Sequence, residues 1–509
     1  MTPKVYFTDF CTTNSENLPQ KLARLIMTSG IDQIDFQDKY VAIKIHFGEL
    51  GNMAHLRSGY ARVLVDIIKD LGGKPFLTDC NTLYVGSRKN ALDHLETAYL
   101  NGFTPYSTGC HILIADGLKG TDDMAVSVEG CEYVKEAYIG RAVMDADIVI
   151  SLNHFKGHEE AGFGGALKNL GMGCGSGRGK RDMHDACRPV VDKEKCVACG
   201  ACRDICAHDG PNLKEGAMEI DWTKCAGCGR CLHVCPVDAI HADDRDASYY
   251  LNCKIAEYAK AVVAGRPHFH ISLVRDVSPC CDCHSENDIP IVPDVGMFAS
   301  FDPVALDLAC AEAVIRQPVN PGSALEKAGR PDLDNITAPF PHTNWRSQIA
   351  HGKKIGLGED SYELITISNS KGVPKTARPY TLYIQQNQRC QDASDAQPLP
   401  LRQLLPEDQH AYGGDQQDAA HAVGGEGDHR GNGLQGTEEK PGGKVIGNTD
   451  QKAEKQFPFP RPLLFIEHQT QAQQKRREEC TQQKPAFLRL YAQLLKKLGH
   501  CLVNSSGLC

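Results

Sequence analysis

Apolar residues fall in short runs along the first part of the chain, separated by amphipathic stretches. Val5–Phe7, Val41–Phe47, Lys74–Thr78, His111–Ala115 and Ile148–Leu152 are rich in β-branched and aromatic residues and read as strands. Between them, Asn17–Met27, His55–Leu71, Lys89–Leu100 and Val134–Met144 carry helical spacing. Gly72-Gly73 stops the second helix before the next strand. Strands alternating with helices predict an α/β domain on a mostly parallel sheet. The pattern resumes later with a helix over Tyr249–Val263, a strand over His268–Val274 and a helix over Pro303–Val314.

The stretch that interrupts this pattern has its own order. Cys196, Cys199, Cys202 and Cys206 read C-x2-C-x2-C-x3-C. Cys225, Cys228, Cys231 and Cys235 repeat that spacing 29 residues later, followed by Pro236. The lead-ins Val191 to Lys195 and Ile220 to Lys224 repeat as well. Three cysteines at this interval can wrap one [4Fe–4S] cube, while the fourth points away to the other cube. One cluster is therefore expected on Cys196, Cys199, Cys202 and Cys235, and the second on Cys225, Cys228, Cys231 and Cys206. Zinc sites use well-separated C-x2-C pairs, and disulfides need an oxidising compartment. Ala207 stands where the second copy has Pro236, and a longer segment follows, so Cys206 is the least secure ligand.

In parallel sheets, ligands bind beyond the carboxyl ends of the strands. His46, Asp79, Asp116, His154 and His158 all follow apolar runs, with Lys156 among them. The expected rim site is His46, His154, Lys156 and His158; Asp79 and Asp116 read as ordinary strand ends. The glycine-rich run Gly162 to Gly177 contains Lys168 and offers either backbone N–H groups to an anion or a close-packed turn. Cys280-Cys281-Asp282-Cys283-His284 adds a third thiol group. Cys281 and Cys283 would point apart in an extended chain but can meet in a loop, as an additional metal site or as a redox thiol pair.

The 509 residues suffice for two or three domains. A net charge of −9 gives no basic footprint for nucleic acid. No apolar run approaches the ~20 residues of a membrane span. The 23 cysteines fit a reducing cytoplasm, where open thiols survive. The expected architecture is an α/β domain over residues 1–187 and 246–367 with an α+β ferredoxin-like bicluster module inserted at 188–245. Residues 368–509 change character: the first 369 residues hold five glutamines and the remaining 140 hold nineteen. This reads as a disordered tail, with helical spacing only over Pro485–Leu498, and its abruptness suggests a non-native extension.

The chain resembles the bacterial and archaeal family of uncharacterised Fe–S centre proteins, which carry the domain of unknown function 362 with a ferredoxin-type module. The matching pieces are Ile43-Lys44-Ile45-His46-Phe47-Gly48-Glu49, Thr78-Asp79-Cys80-Asn81-Thr82-Leu83-Tyr84, His154-Phe155-Lys156-Gly157-His158, the run Gly162 to Gly173, Cys281-Asp282-Cys283 and Ser300-Phe301-Asp302-Pro303-Val304-Ala305. The resemblance covers about residues 1–367. It implies two [4Fe–4S] clusters and a redox or electron-transfer role, and no substrate. An iron–sulfur oxidoreductase is expected, with His46, His154, Lys156, His158 and Lys168 as catalytic candidates and a redox partner protein or small molecule as partner. The alternative is a non-catalytic electron carrier or a cluster-delivery and docking protein. Deleting the residues after about 369 is expected to leave iron content and folding unchanged. Loss of either, by iron assay or circular dichroism, refutes the reading of the tail.

Overall fold

A computed structural model describes residues 2–368, apart from residues 186, 187 and 245. The glutamine-rich tail, with its expected helix over Pro485–Leu498, lies outside the described residues. The centre is an eight-stranded sheet. Its strands run in the order Glu363–Thr366, Lys4–Thr8, Gly296–Ser300, His268–Val274, Ile148–His154, Tyr40–Lys44, Lys74–Asp79 and Ile112–Ile114. Only Gly296–Ser300 pairs antiparallel with its neighbours, Lys4–Thr8 and His268–Val274. The other pairings are parallel, as the alternating strand and helix pattern predicts.

The strand Ile148–His154 is buried at every position. Ile148, Ile150 and Leu152 point to one face, where Leu22, Leu25 and Ile26 of the helix Leu18–Thr28 and Val63, Leu64 and Ile67 of the helix Ser58–Asp70 cover them. Val149 points to the other face, under the helices Ala166–Cys174, Ala247–Val263 and Pro303–Ile315. Two-residue alternation thus splits the strand's side chains between two cores.

Three features depart from the sequence expectation. Val134–Met144 is not one helix. Ala137 and Ile139 are fully buried between more open neighbours, so the period is two, and Glu136–Gly140 is a strand paired with Asp123–Ser127. A short helix, Arg141–Asp145, follows. The strand expected to reach Phe47 ends its ladder at Lys44, which lets residues 45–49 turn over the end of the sheet. Lys156–His158 and Gly162–Gly164, left unassigned by the apolar pattern, form a small antiparallel hairpin.

Residues 188–244 add two two-stranded ribbons, Pro189–Val191 with Ile240–Ala242 and Pro211–Lys214 with Ala217–Ile220. Two short helices, Ala201–Asp204 and Arg230–His233, complete the segment. No helix among the described residues is long and apolar enough to cross a membrane.

The helices Ala166–Cys174 and Ala247–Val263 touch through backbone. A Cβ on Gly171 would stand 2.2 Å from the carbonyl oxygen of Ile255. Gly59, in the first turn of the helix Ser58–Asp70, faces open space. Gly59→Ala is therefore expected to stabilise by about 0.5–1 kcal/mol. Gly171→Ala is expected to destabilise by about 1–3 kcal/mol, because the helices must separate. Equilibrium denaturation of both variants checks the pair, and equal shifts would contradict the close packing.

Candidate functional site

The strands Tyr40–Lys44 and Ile148–His154 are neighbours, and the chain order reverses between them. A crevice opens at the carboxyl ends of parallel strands where this happens. Here it is a crevice lined by Lys44, His46, Asp79, Cys80, Thr82, Tyr84, Arg88, Lys156, Gly164, Gly165, Lys168, Asn169, Met172, Gly173, Lys180 and Cys281. Five of these carry fixed positive charge, and Lys44 and Arg88 are almost wholly buried.

Buried charge is costly unless paired. Lys44 Nζ lies 2.9 Å from Asp79, Arg88 Nε 3.0 Å from Glu49, and Lys156 Nζ 3.1 Å from Asp282. Arg88 Nη2 meets no hydrogen-bond partner among the described residues. It is a donor at the wall of a basic cavity, which suits an anion.

Two thiols, Cys80 and Cys281, line the cavity. The turn Cys281–His284 closes through a 3.0 Å hydrogen bond from His284 N–H to the Cys281 carbonyl. It brings the two thiols together rather than apart. The neighbouring Cys283 thiol, with Lys168, His158 and His46 and against the opposing effect of burial, holds Cys281 well below the usual thiol range. The Cys281 sulfur and burial push Cys283 above that range. Lys168 Nζ is 3.6 Å from the Cys281 sulfur.

The backbone sets the two histidines. Gly48 N–H donates to His46 Nδ1 at 3.0 Å, and the N–H groups of Glu160 and Ala161 donate to His158 Nδ1 at 3.1 Å. His46 Nε2 faces Arg88 Nη1 at 3.3 Å, and both rings help hold the Cys281 sulfur as thiolate. Burial, with the Arg88 guanidinium, lowers the pKa of His46 to about 4, so it stays neutral.

Of the residues expected at the site, His46, Lys156, Lys168 and Cys281 line one cavity, and His158 reaches the same sulfur. His154 stands behind them. Its Nδ1 faces Asp282 at 2.8 Å and its Nε2 faces the Arg275 carbonyl at 2.7 Å, so both ring nitrogens serve the protein. It is a positioning residue for Asp282 and through it for Lys156. Asp116 accepts from the Asn81 backbone and side chain, an ordinary strand-end role.

Two amides at the helix start of the glycine-rich run are already taken. Asp307 accepts from Ala166 N–H at 2.7 Å and Leu167 N–H at 2.8 Å. A Cβ at Gly165 would collide with that carboxylate at 2.3 Å, and one at Gly173 would meet Lys44 Nζ at 2.6 Å. The glycines serve close approach, and the cavity's positive side chains supply the capacity for an anion. Lys44, Glu49, Arg88, Asn169, Lys180 and Asp307 went unremarked in the sequence as site residues, because only the fold brings them to one edge.

A second group sits nearby. Glu159, Cys283 and His284 each offer one donor atom within 4.8 Å of the others and can hold a metal ion. Cys281 is not in that group. Arg230, beside Cys231, contacts His284, and its guanidinium stands 5.9 Å over the Tyr84 ring.

The eight repeated cysteines follow one backbone plan. Left-handed φ values occur at Ala198, Gly200 and Asp209 and again at Gly227, Gly229 and Asp238, each 29 residues on. Gly210 N–H donates to the Cys206 sulfur at 3.4 Å, and Ala239 N–H to the Cys235 sulfur at 3.2 Å, the same relation in each copy. Cys206 thus keeps the geometry of Cys235 despite Ala207 and the longer segment. Cys206, Cys225, Cys228 and Cys231 line one small cavity. Cys196, Cys202, Cys231 and Cys235 pack together around Met218 and Ile240.

Fold and site define a class: an α/β protein with a basic crevice around a buried cysteine pair, and a doubled cysteine motif beside it. The domain of unknown function DUF362 matches residues 41–312, more than half of the chain, and the protein belongs to that family. No curated protein matches the chain. A solved protein from Thermotoga maritima is similar at 13% identity and a TM-score of 0.32, over 60% of this chain and 58% of that one. Lactate racemase apoprotein from Thermoanaerobacterium thermosaccharolyticum is similar at 10% identity and a TM-score of 0.26, over 54% of this chain and 51% of that one. The chain spans just over half the length of each, and likeness at these scores carries no argument about chemistry.

Asp282 is fully buried. Burial opposes its charge, yet His154 and Lys156 hold the carboxyl far below the usual range. Asp282→Asn is expected to cost about 3–5 kcal/mol, since it strands a buried lysine. A depressed carboxyl contributes its full stability above its unfolded value of about 4 and loses it as pH falls further. The difference from wild type, measured by urea denaturation, should therefore be constant near neutrality and shrink below about pH 4.

Proposed function

We propose that the protein is an iron–sulfur oxidoreductase carrying two [4Fe–4S] clusters, with its reaction at the basic crevice around Cys281. The observation that carries this reading is the 29-residue repeat in cysteine spacing, left-handed backbone and N–H···S bonds. Cys206, Cys225, Cys228 and Cys231 fit one cluster, because they already line a common cavity. Cys196, Cys199, Cys202 and Cys235 fit the other by the spacing rule, and three of them share one apolar patch with Cys231. When bound, such clusters supply single electrons.

The chain's own residues provide the rest. Lys44, Arg88, Lys156, Lys168 and Lys180 attract an anionic substrate and orient it over Cys281. His46 and His158 stabilise negative charge on that sulfur. Glu160, whose pKa burial and Glu159 push up to about 8, would hold a proton beside Cys228 and Gly229. The concentration of titratable groups at strand ends favours an enzyme over a simple carrier, which needs none of them.

Protein purified without oxygen should contain about eight irons and eight inorganic sulfides per chain. Cys206→Ser should lose about half of them, with a matching loss of the paramagnetic signal after dithionite reduction. Zinc in place of iron, or full iron content in that variant, would sink the assignment.

A further inference from the structure

We propose that Cys281 and Cys283 form a redox-active thiol pair that reduces disulfides of small anionic compounds, Cys281 attacking and Cys283 resolving. The source of its electrons rests on the function proposed above; the thiol exchange itself does not.

Three observations carry the assignment. The turn closed by His284 N–H on the Cys281 carbonyl brings positions 281 and 283 close, and Lys168 Nζ stands 3.6 Å from the Cys281 sulfur. A disulfide needs its Cβ atoms to face each other, which such a turn allows and an extended chain, with successive side chains on opposite faces, hinders. Next, the two sulfurs differ in place. Cys281 lines the crevice, whereas Cys283 groups with Glu159 and His284. An attacking thiol must meet substrate, and a resolving thiol must meet only the attacking one. Third, the wall around Cys281 is basic, and Arg88 Nη2 is a buried donor without a partner among the described residues. A disulfide bearing carboxylates or phosphates suits that wall, and a cationic one does not.

The steps balance. The Cys281 thiolate attacks one sulfur of the substrate; its S–S bond breaks and the first thiolate leaves. Cys283 then attacks the Cys281 sulfur, the mixed disulfide breaks and the second thiolate leaves. The Cys283 proton passes to the first product. Two electrons and one proton reopen the Cys281–Cys283 bond, restoring thiolate and thiol. The sum is one disulfide, two electrons and one proton to one thiol and one thiolate.

The test uses the full chain, reduced and freed of reductant. It is exposed to oxidised glutathione as the anionic disulfide or to cystamine as the cationic one. Free thiols are then capped with N-ethylmaleimide and peptides mapped by mass spectrometry. Wild type should lose both alkylatable thiols and yield a Cys281–Cys283 crosslink. Cys283→Ser and Cys283→Ala should stop with glutathione on Cys281, and Cys281→Ser should leave Cys283 free. Cystamine should react at least about tenfold more slowly. Cys281 remaining alkylatable, glutathione arriving first on Cys283, or a metal bound at Cys283 with Glu159 and His284 that blocks exchange would each overturn the pair. Equal rates with the two reagents would overturn the anionic substrate class. Exchange needs no cluster electrons. Closure in a protein without iron therefore refutes the proposed function and keeps the pair, and eight irons without closure does the reverse.

Discussion

The constraint on which this structure turns is the burial of charge beneath the carboxyl edge of its sheet. Lys44, Asp79, Arg88, Glu49, Lys156 and Asp282 are all withdrawn from water. Each must find an opposite charge or a hydrogen bond, because desolvation of an isolated ion exceeds anything packing returns. The pairs are drawn from separate strand ends: Lys44 with Asp79, Arg88 with Glu49, Lys156 with Asp282. These pairings lock the ends of neighbouring strands in register. They also fix the positions of the atoms that face the crevice.

The network runs on into the sheet. His268 meets His270 at 2.8 Å, and His270 meets Ser151 at 2.8 Å. Asn153 donates to Ser151 at 3.1 Å and accepts from Asn169 at 2.7 Å. Asn169 in turn accepts from Lys44 Nζ at 2.7 Å. Ser151 and Asn153 alternate with Ile150 and Leu152, so one face of this strand is apolar and the other carries the polar chain. Such a network specifies one arrangement because every partial alternative leaves a buried donor or acceptor unpaired. It anchors the helix Ala166–Cys174, and with Asp307 at that helix's start it aims Lys168 at Cys281.

Much of this was legible in the chain. Strand and helix alternation yielded the parallel sheet, and the rule that ligands sit beyond strand ends led to His46, Lys156 and His158. Local pattern fails where a partner lies far along the chain. Glu136–Gly140 carries residues that suit either state, and its pairing with Asp123–Ser127 decided for strand. The glycine run advertised free amides, but Asp307, some 140 residues on, occupies them. His154 looked like its neighbours, and only its two fixed contacts separate it from them. Arg88 gave no signal at all, since a lone arginine in a polar loop is ordinary until the fold buries it.

The relation between the cysteine-rich segment and the crevice is what joins the two proposals. A Cβ at Gly227 would meet the His184 carbonyl at 2.4 Å, so the loop bearing Cys225 and Cys228 lies against the α/β domain with no room for a side chain. Arg230 contacts His284, the residue after Cys283. His208 bonds the Leu83 carbonyl at 2.6 Å, next to Tyr84 of the crevice wall. A carrier that only docked partners would leave its cysteine loops turned outward. Here Cys228 is tucked against Glu160, while Cys199 is exposed at the other end of the segment. Under the function proposed above, that polarity would let electrons enter at the Cys199 side and leave toward Cys281. The proposal also carries a requirement: single electrons must be gathered in twos for thiol chemistry, and two clusters beside one thiol pair would meet it.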